Sequence, residues 1–495
     1  MTLAQHLPVL QVVVPLLAGP AIVLVRRHRI AWAIATLVSW LALAIAVALA
    51  WRVMESGPIS YAIGNWPPPW GIEYRIDELN AFVLVLVSLI GAVAMPYARV
   101  SIAAELPLEQ EYLFYAMYCL CLTGLLGMAA TGDAFNLFVF MEIASLSMYV
   151  LIALGRRRQA LAASYQYLIM GTIGATFYVI GVGLLYLMTG TLNMADMTTR
   201  LASVTDVRPV VAALAFIVTG VGLKLALFPL HQWLPNAYTY APSVVTAFLA
   251  ATATKVSIYV LIRFSLGIFG QSPIIGQVHF HELLLVLAIV AIVSMSLVAL
   301  FQDDLKRLFA YSSVAQVGYI MLGVSLASQS GLTAGVSHLF NHGITKGALF
   351  LLVGALSLRA GSTSLERLAG IGARMPFTSL GIVIAGLSLI GVPGTAGFIT
   401  KWYLIQACLE REAWLLAALV VATSLIALGY VWRFVEVAYL TPPHDDLPRA
   451  GEAPMSMLVA AWVLVVACVY FGLDTSFNAG FAADAVESLL RQGAK

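Results

Sequence analysis

Charge is the scarcest thing in this sequence. Only 10% of its 495 residues are Asp, Glu, Lys or Arg and 61% are hydrophobic, whereas soluble domains carry about 25% charged residues. That shortage excludes an ordinary soluble enzyme. The 26 basic and 24 acidic residues nearly cancel, leaving a formal net charge of +2, which excludes the basic footprint of a nucleic-acid binder. Cysteine is also rare. Cys119, Cys121, Cys408 and Cys468 all fall inside apolar runs, without metal-ligand spacing, so no disulfide framework, zinc site or iron–sulfur site is expected. No polar block separates the apolar runs, and residues 1–495 read as a single polytopic membrane domain. Basic residues are missing ahead of the first run, with Arg26, Arg27 and Arg29 following it; it reads as a retained helix, not a signal peptide.

Apolar runs of membrane-crossing length are what the sequence has in plenty. Crossing a hydrocarbon core about 30 Å thick takes about 17 to 25 mostly apolar residues in a helix. The chain offers about fourteen such spans, from 8–25 to 454–471, among them span five at 134–154, span seven at 210–230, span eight at 244–264, span eleven at 332–358 and span twelve at 377–407. Continuous runs exclude the short alternating strands of a β-barrel, so the expected fold is an all-α integral membrane protein.

Arginine and lysine cluster in alternate loops: Arg26, Arg27 and Arg29; Arg156, Arg157 and Arg158; Lys306 and Arg307; then Arg359, Arg367 and Arg374. Those loops are expected in the cytoplasm and both termini outside. The Trp66–Trp70 stretch, with three prolines between two tryptophans, suits an exterior loop at headgroup level.

Once loop charges are set aside, Glu142, Lys224, Lys255, Lys346, Lys401, Arg433 and Glu436 stand inside spans, with His338 and His342. A lysine at helix centre costs about 2.5–3.5 kcal/mol on insertion scales, and such residues generally mark an ion or proton path. Burial disfavours a charged lysine or glutamate while pairing favours it, so a pair that opens and closes binds and releases a proton. The alternative for each is a static buried salt bridge or polar helix contact. Arg433 and Glu436, three residues apart, are expected to satisfy each other locally. His338 and His342, at i and i+4, suit a proton relay, a metal site lacking an evident third ligand, or plain helix contacts.

Two spans look broken. Pro229, Pro235 and Pro242 follow Lys224, and Pro393 stands between glycines eight residues before Lys401. Interruptions at membrane depth are typical of transporters with inverted repeats, the alternative being kinks that only improve packing. No repeat shows as clean identity, since lysine precedes the proline in one half and follows it in the other.

Five stretches in order carry a resemblance: GDAFNLFVFMEIASLSMYVLIALG (132–155), LKLALFPLHQWLPNAYTYAPSVVTAFLAATATKVSIYVLI (223–262), DDLKRLFAYSSVAQVGY (303–319), SHLFNHGITKGALFLLVG (337–354) and GVPGTAGFITKW (391–402). The sequence resembles the proton-conducting antiporter-like subunits shared by Mrp-type cation/proton antiporters, complex I and membrane-bound hydrogenases, and within them is most similar to the Mrp D subunit. The resemblance implies fourteen helices, inverted five-helix repeats at 112–264 and 283–440, and breaks in spans seven and twelve at Pro229 and Pro393. It further implies Glu142 and Lys224 as a coupled pair at one half-channel, Lys255 as central relay, His338 and His342 continuing the polar axis, and Lys401 at the second half-channel. Lys346 matches a lysine present in some members. In one complex I subunit the Lys401 position is a glutamate, so lysine here argues against that subunit alone.

The expected function is therefore a proton-translocating subunit of a multisubunit Na+/H+ antiporter in a bacterial or archaeal cell membrane. It is not expected to be an enzyme, to carry a cofactor or to bind a metal. Its partners would be other membrane subunits, and its ions H+ and, through this chain or another subunit, Na+. The rivals are a proton-pumping subunit of a complex I-like or hydrogenase assembly, a non-conducting scaffold, and a stand-alone solute carrier. An even spread of ionisable residues over five spans disfavours the carrier.

Overall fold

The computed structural model describes residues 3–270, 272, 274–443 and 451–492. Its helices run, in chain order, α1 (Leu7–Val25), α2 (His28–Ser56), α3 (Glu78–Glu105), α4 (Leu108–Ala130), α5 (Ala134–Ala153), α6 (Gln159–Thr189), α7 (Met194–Leu201), α8 (Val207–Leu225), α9 (Trp233–Tyr240) and α10 (Ser243–Ile262). There follow α11 (Ile274–Gln277), α12 (Phe280–Leu300), α13 (Leu305–Ser325), α14 (Gln329–Ala360), α15 (Ile371–Arg374), α16 (Pro376–Ile390), α17 (Ala396–Glu410), α18 (Trp414–Val435), α19 (Met455–Leu473) and α20 (Ala482–Gln492). Thirteen helices among the described residues are long and apolar enough to cross a membrane. The fourteenth expected span is the split pair α16 and α17.

The element missed by an all-helical reading is small. β1 (Ile59–Ala62) and β2 (Glu73–Ile76) pair antiparallel, Ile59 opposite Ile76, and carry Trp66 and Trp70 at the tip, 69% and 86% exposed. This hairpin, the start of α1 and the end of the described chain share one face of the bundle. His6 bonds Tyr61 across 2.9 Å, and the Ser488 hydroxyl donates to Glu78 at the head of α3. We call it the terminal face.

Two aspartates fix helix registers from opposite faces. Asp133 accepts from the Asn136 amide and starts α5, while Asp304 accepts from the Arg307 amide and starts α13. Each also makes one isolated bridge to the strand-like link after a later helix, Asp133 to Asn193 and Asp304 to Ser364. Side-chain caps of this kind satisfy amides left open in a first helical turn.

Both breaks occur where proline and glycine deny the helix its bonds. α8 stops at Leu225, with Ala226 in the left-handed region, and the chain turns through Pro229 before resuming as α9. Pro235 does not break anything, contrary to expectation: it is the third residue of α9, in the first turn, where a missing amide hydrogen is harmless. Pro242 ends the excursion as the residue before α10. In the other half α16 ends at Gly391, whose φ of +90° suits glycine, and α17 starts five residues on.

Residues 414–440 have a third of their most apolar window buried, whereas that of 243–268 is wholly buried. α10 packs against α14 and α3, and α14 against α13, α16, α17 and α19. The helices carrying Lys255, His338, His342 and Lys346 thus lie, with α3 and α13, in the interior of the bundle. Small residues set the spacing elsewhere, as where α6 crosses α8: a Cβ on Gly220 would lie 2.7 Å from the Tyr178 amide nitrogen.

Backbone cannot yield as a side-chain tip does, so Gly220→Val should destabilise the fold by about 1–3 kcal/mol. Gly183→Ala on the lipid-facing side of α6 meets nothing within 4 Å and should be neutral or slightly stabilising. Thermal unfolding of the solubilised protein compares the two.

Candidate functional site

The polar interior begins on α5. Counting from its first residue, Ala134, Glu142 is about 12 Å into the helix. Lys224 reaches it from the last turn of α8, its Nζ 3.7 Å from Glu142 Oε1 and 2.6 Å from the Ser145 hydroxyl, to which it donates. The hydroxyl takes the short bond and the carboxylate supplies the longer ion pair. Lys224 is buried, while the Glu142 side chain is 27% exposed on the flank of the bundle. The break shapes this end of the site. Free carbonyls at a helix C-terminus favour a cation, and the one on Leu223 is taken by the Trp233 indole of α9 at 2.9 Å.

Lys255 sits in the middle of α10, fully buried. Its ammonium donates to the Ala250 carbonyl at 2.5 Å and faces the Thr254 hydroxyl at 3.3 Å. The backbones of α10 and α14 approach closely beside it, where a Cβ on Gly343 would lie 3.0 Å from the Ala251 carbonyl oxygen. Next along, Lys346 donates to the Phe309 carbonyl at 2.8 Å and to the Ser312 hydroxyl at 2.5 Å, between the rings of Phe309 and Phe350.

His342 and His338 stack nearly parallel, centroids 5.8 Å apart. Both His342 nitrogens are buried without a protein partner among the described residues, and buried polar atoms of this kind call for ordered water. His338 is fully engaged: Nε2 lies 2.8 Å from the Gln316 side-chain oxygen and Nδ1 2.8 Å from the Thr400 hydroxyl. With both nitrogens committed to hydrogen bonds, His338 presents no free lone pair to a metal. Among the described residues no group of three His, Cys, Asp or Glu side chains could hold one.

The row ends in the second break. Lys401 donates to the Ile390 carbonyl at 2.8 Å, the Leu389 carbonyl at 3.3 Å and the Ser424 hydroxyl at 3.0 Å, over the ring of Tyr319. Ending α16 early leaves those carbonyls without helical partners, and the lysine of α17 turns back to take them.

The structure thus brings the expected residues into one interior row, in which the Glu142–Lys224 ion pair and the His338–His342 stack are the direct contacts; among the described residues no hydrogen bond joins Lys224 to Lys255, Lys255 to Lys346, or Lys346 to His342. Arg433 and Glu436 do not pair. Arg433 instead holds Asp303 at 2.8 Å and the Gln302 carbonyl at 2.9 Å, because the α12–α13 link packs against that face of α18, and Glu436 is exposed. Lys306, counted as a loop charge, is buried as the second residue of α13, its Nζ 3.4 Å from the Ala241 carbonyl and the Ser243 hydroxyl. Glu105 accepts from the Ser243 amide beside it.

Sequence reasoning weighed charges and overlooked hydroxyls. Ser145 lies one turn beyond Glu142. Ser312, Gln316 and Tyr319 recur at intervals of four and three along α13, a helical-face spacing readable in DDLKRLFAYSSVAQVGY. A sharper signal lies in the choice of cation. The chain has six lysines and twenty arginines. Five of the lysines, at 224, 255, 306, 346 and 401, are buried, and the sixth, Lys495, lies outside the described residues. Every basic residue in the exposed loops considered above is arginine.

Comparison with known proteins identifies the family. Residues 131–427 match the NADH:quinone oxidoreductase/Mrp antiporter, TM family. The N subunit of a NADH-quinone oxidoreductase from Desulforudis audaxviator is 43% identical, over 95% of this chain and 96% of that protein. The D subunit of a Na(+)/H(+) antiporter from Alkalihalophilus pseudofirmus is 32% identical over 94% of each. In the solved structure of the Mrp complex from Dietzia sp. DQ12-45-1b, one chain superposes with a TM-score of 0.91 at 26% identity, covering 99% of this chain and 98% of that one. The matched segment contains both broken helices and every residue of the interior row, and the chain belongs to the NADH:quinone oxidoreductase/Mrp antiporter transmembrane family.

Proposed function

We infer that this chain is the proton-translocating subunit of a multisubunit Na+/H+ antiporter, moving H+ along Glu142, Lys224, Lys255, Lys346, His342, His338 and Lys401. The reservation of lysine for the interior carries this reading. Arginine stays protonated at any accessible pH, whereas a buried lysine changes charge readily. A bundle that needed only fixed positive charge inside would be served by either. Apart from Lys224, the lysines of the row meet neutral carbonyls and hydroxyls, and a hydroxyl serves the free amine as donor as well as the ammonium as acceptor.

The Asp133 and Asp304 caps, set at opposite faces with matching bridges, support inverted repeats at 112–264 and 283–440. Arginine-rich links on the face opposite the termini support a cytoplasmic assignment for that face and an outer one for both termini. The Glu142 flank would be sealed by a neighbouring membrane subunit. No step in this reading makes or breaks a covalent bond apart from those to exchanging protons.

A redox-driven complex is the second reading, favoured by the 43% identity to the N subunit of a NADH-quinone oxidoreductase. In it the same row would conduct, as part of a translocase whose electron chemistry resides in other chains. The subunits that co-purify with this one distinguish the two.

Glu142→Gln and Lys224→Ala should each abolish proton flux of the intact assembly in proteoliposomes while leaving its composition unchanged; flux at the parent rate would favour a scaffold. Lys401→Ala removes the donor to two carbonyls and a hydroxyl, so it should destabilise the protein by about 1–3 kcal/mol as well as stop transport. Ser145→Ala should slow flux without abolishing it, since the Glu142–Lys224 ion pair survives it. Flux assays and thermal unfolding on the same preparations check these outcomes.

A further inference from the structure

One buried ion pair takes no part in the interior row. Asp77, the cap residue of α3, holds Arg263 in a bidentate bridge with both contacts at 2.7 Å. Arg263 opens the π turn Arg263–Ile268 that extends α10. It donates from Nε to the Tyr259 hydroxyl at 3.3 Å, which donates to the Ala129 carbonyl at 3.2 Å. Burial opposes the charge on Asp77, but the guanidinium overrides it and keeps the carboxyl below its usual range; it is ionised at neutral pH.

A structural tie between α3 and α10 would account for the bridge alone. It does not account for the cavity of about 470 Å³ beside it on the terminal face, lined by Arg75, Asp77, Thr131, Thr198, Tyr259 and Arg263 among others. Nor does it account for alignment. Lys255, Tyr259 and Arg263 recur every four residues on one face of α10, so Tyr259 stands about 6 Å and Arg263 about 12 Å further along the axis than Lys255. The Lys255 ammonium is drawn the other way, towards Ala250.

We propose that this cavity is the terminal-face mouth of the proton route, joined to Lys255 through the Tyr259 hydroxyl, with Asp77 exchanging protons with the water of the cavity. The proposal rests on the proton-conducting reading above. When the flexible lysine stem swings from Ala250 towards Tyr259, the ammonium gives a proton to the hydroxyl oxygen. The hydroxyl releases its own proton to the Asp77 carboxylate, and Asp77 passes it to cavity water. One proton leaves for the cavity, Tyr259 and Asp77 return to their starting states, and Lys255, left as the free amine, regains its ammonium by taking the next proton from the interior row. Arg263 never loses its proton and acts as a positioning residue, holding Asp77 ionised and Tyr259 in place. The swing of Lys255 alternates its connection between the two faces.

Two variants of the full assembly, reconstituted in proteoliposomes, test this. Tyr259→Phe should lower proton flux by about tenfold or more. Thr198→Cys, treated with a membrane-impermeant methanethiosulfonate from the terminal face, should lose flux relative to the same untreated variant, while the treated parent, whose four cysteines are buried, should not. Parent-rate flux in Tyr259→Phe and in treated, labelled Thr198→Cys, with Lys224→Ala inactive, would overturn the mouth and leave the row standing. Parent-rate flux in Lys224→Ala would overturn the conducting reading itself. Should Tyr259→Phe fail to assemble, the thiol experiment decides alone.

Discussion

An ammonium brought into the middle of a helix bundle must find acceptors there, and an unbroken helix offers few, because its carbonyls are already bonded. The architecture of this chain follows from that constraint. α16 ends early and leaves the carbonyls of Leu389 and Ile390 for Lys401. Lys224 sits on the last turn of α8, above the other break, and finds Ser145 and Glu142 on α5. Where no break is near, a hydroxyl and a carbonyl of an intact helix serve together, Ser312 and Phe309 of α13 for Lys346 and Thr254 and Ala250 of its own helix for Lys255. The prolines and glycines at the breaks therefore belong to the site as much as the lysines do.

Neutral acceptors also govern what the row can do. A carboxylate at hydrogen-bond distance from each lysine would fix its proton, whereas carbonyls and hydroxyls hold it without trapping it. The single acidic residue in the row, Glu142, lies 3.7 Å from Lys224 with a hydroxyl making the closer contact. His342 keeps both ring nitrogens buried without a protein partner among the described residues, a state that calls for ordered water, and water joins groups that direct bonds do not. The family to which the chain belongs is named for both an NADH:quinone oxidoreductase and the Mrp antiporter.

Much of this was legible in the amino-acid sequence, for particular reasons. Span length and continuous hydrophobicity gave the helices, and Pro393 between glycines gave the second break, because a missing amide hydrogen and a left-handed turn are local properties. Glu142, Lys224 and Lys255 stood out because charge at membrane depth is rare. Partnerships were less accessible. Arg433 and Glu436 share a helical face, yet the carbonyls of the α12–α13 link, over a hundred residues away in the chain, claim Arg433. Lys306 read as a loop charge because it adjoins Arg307 and two aspartates; only the packing of α13 against the start of α10 buries it. Pro235 looked like a breaker because its position within a first helical turn depends on where α9 begins. Hydroxyls drew no notice, since serine and threonine are common in apolar helices and only the fold reveals which ones face an ammonium.

The central claim is that the buried lysines exchange protons and do not merely hold positive charge. Lys255→Arg separates the two, since arginine keeps the charge at the centre of α10 and cannot release its proton. The decisive measurement is proton flux through the reconstituted assembly carrying that substitution, with subunit composition checked in the same preparation. An assembled complex that no longer moves protons is the predicted result; flux at the parent rate would contradict the account.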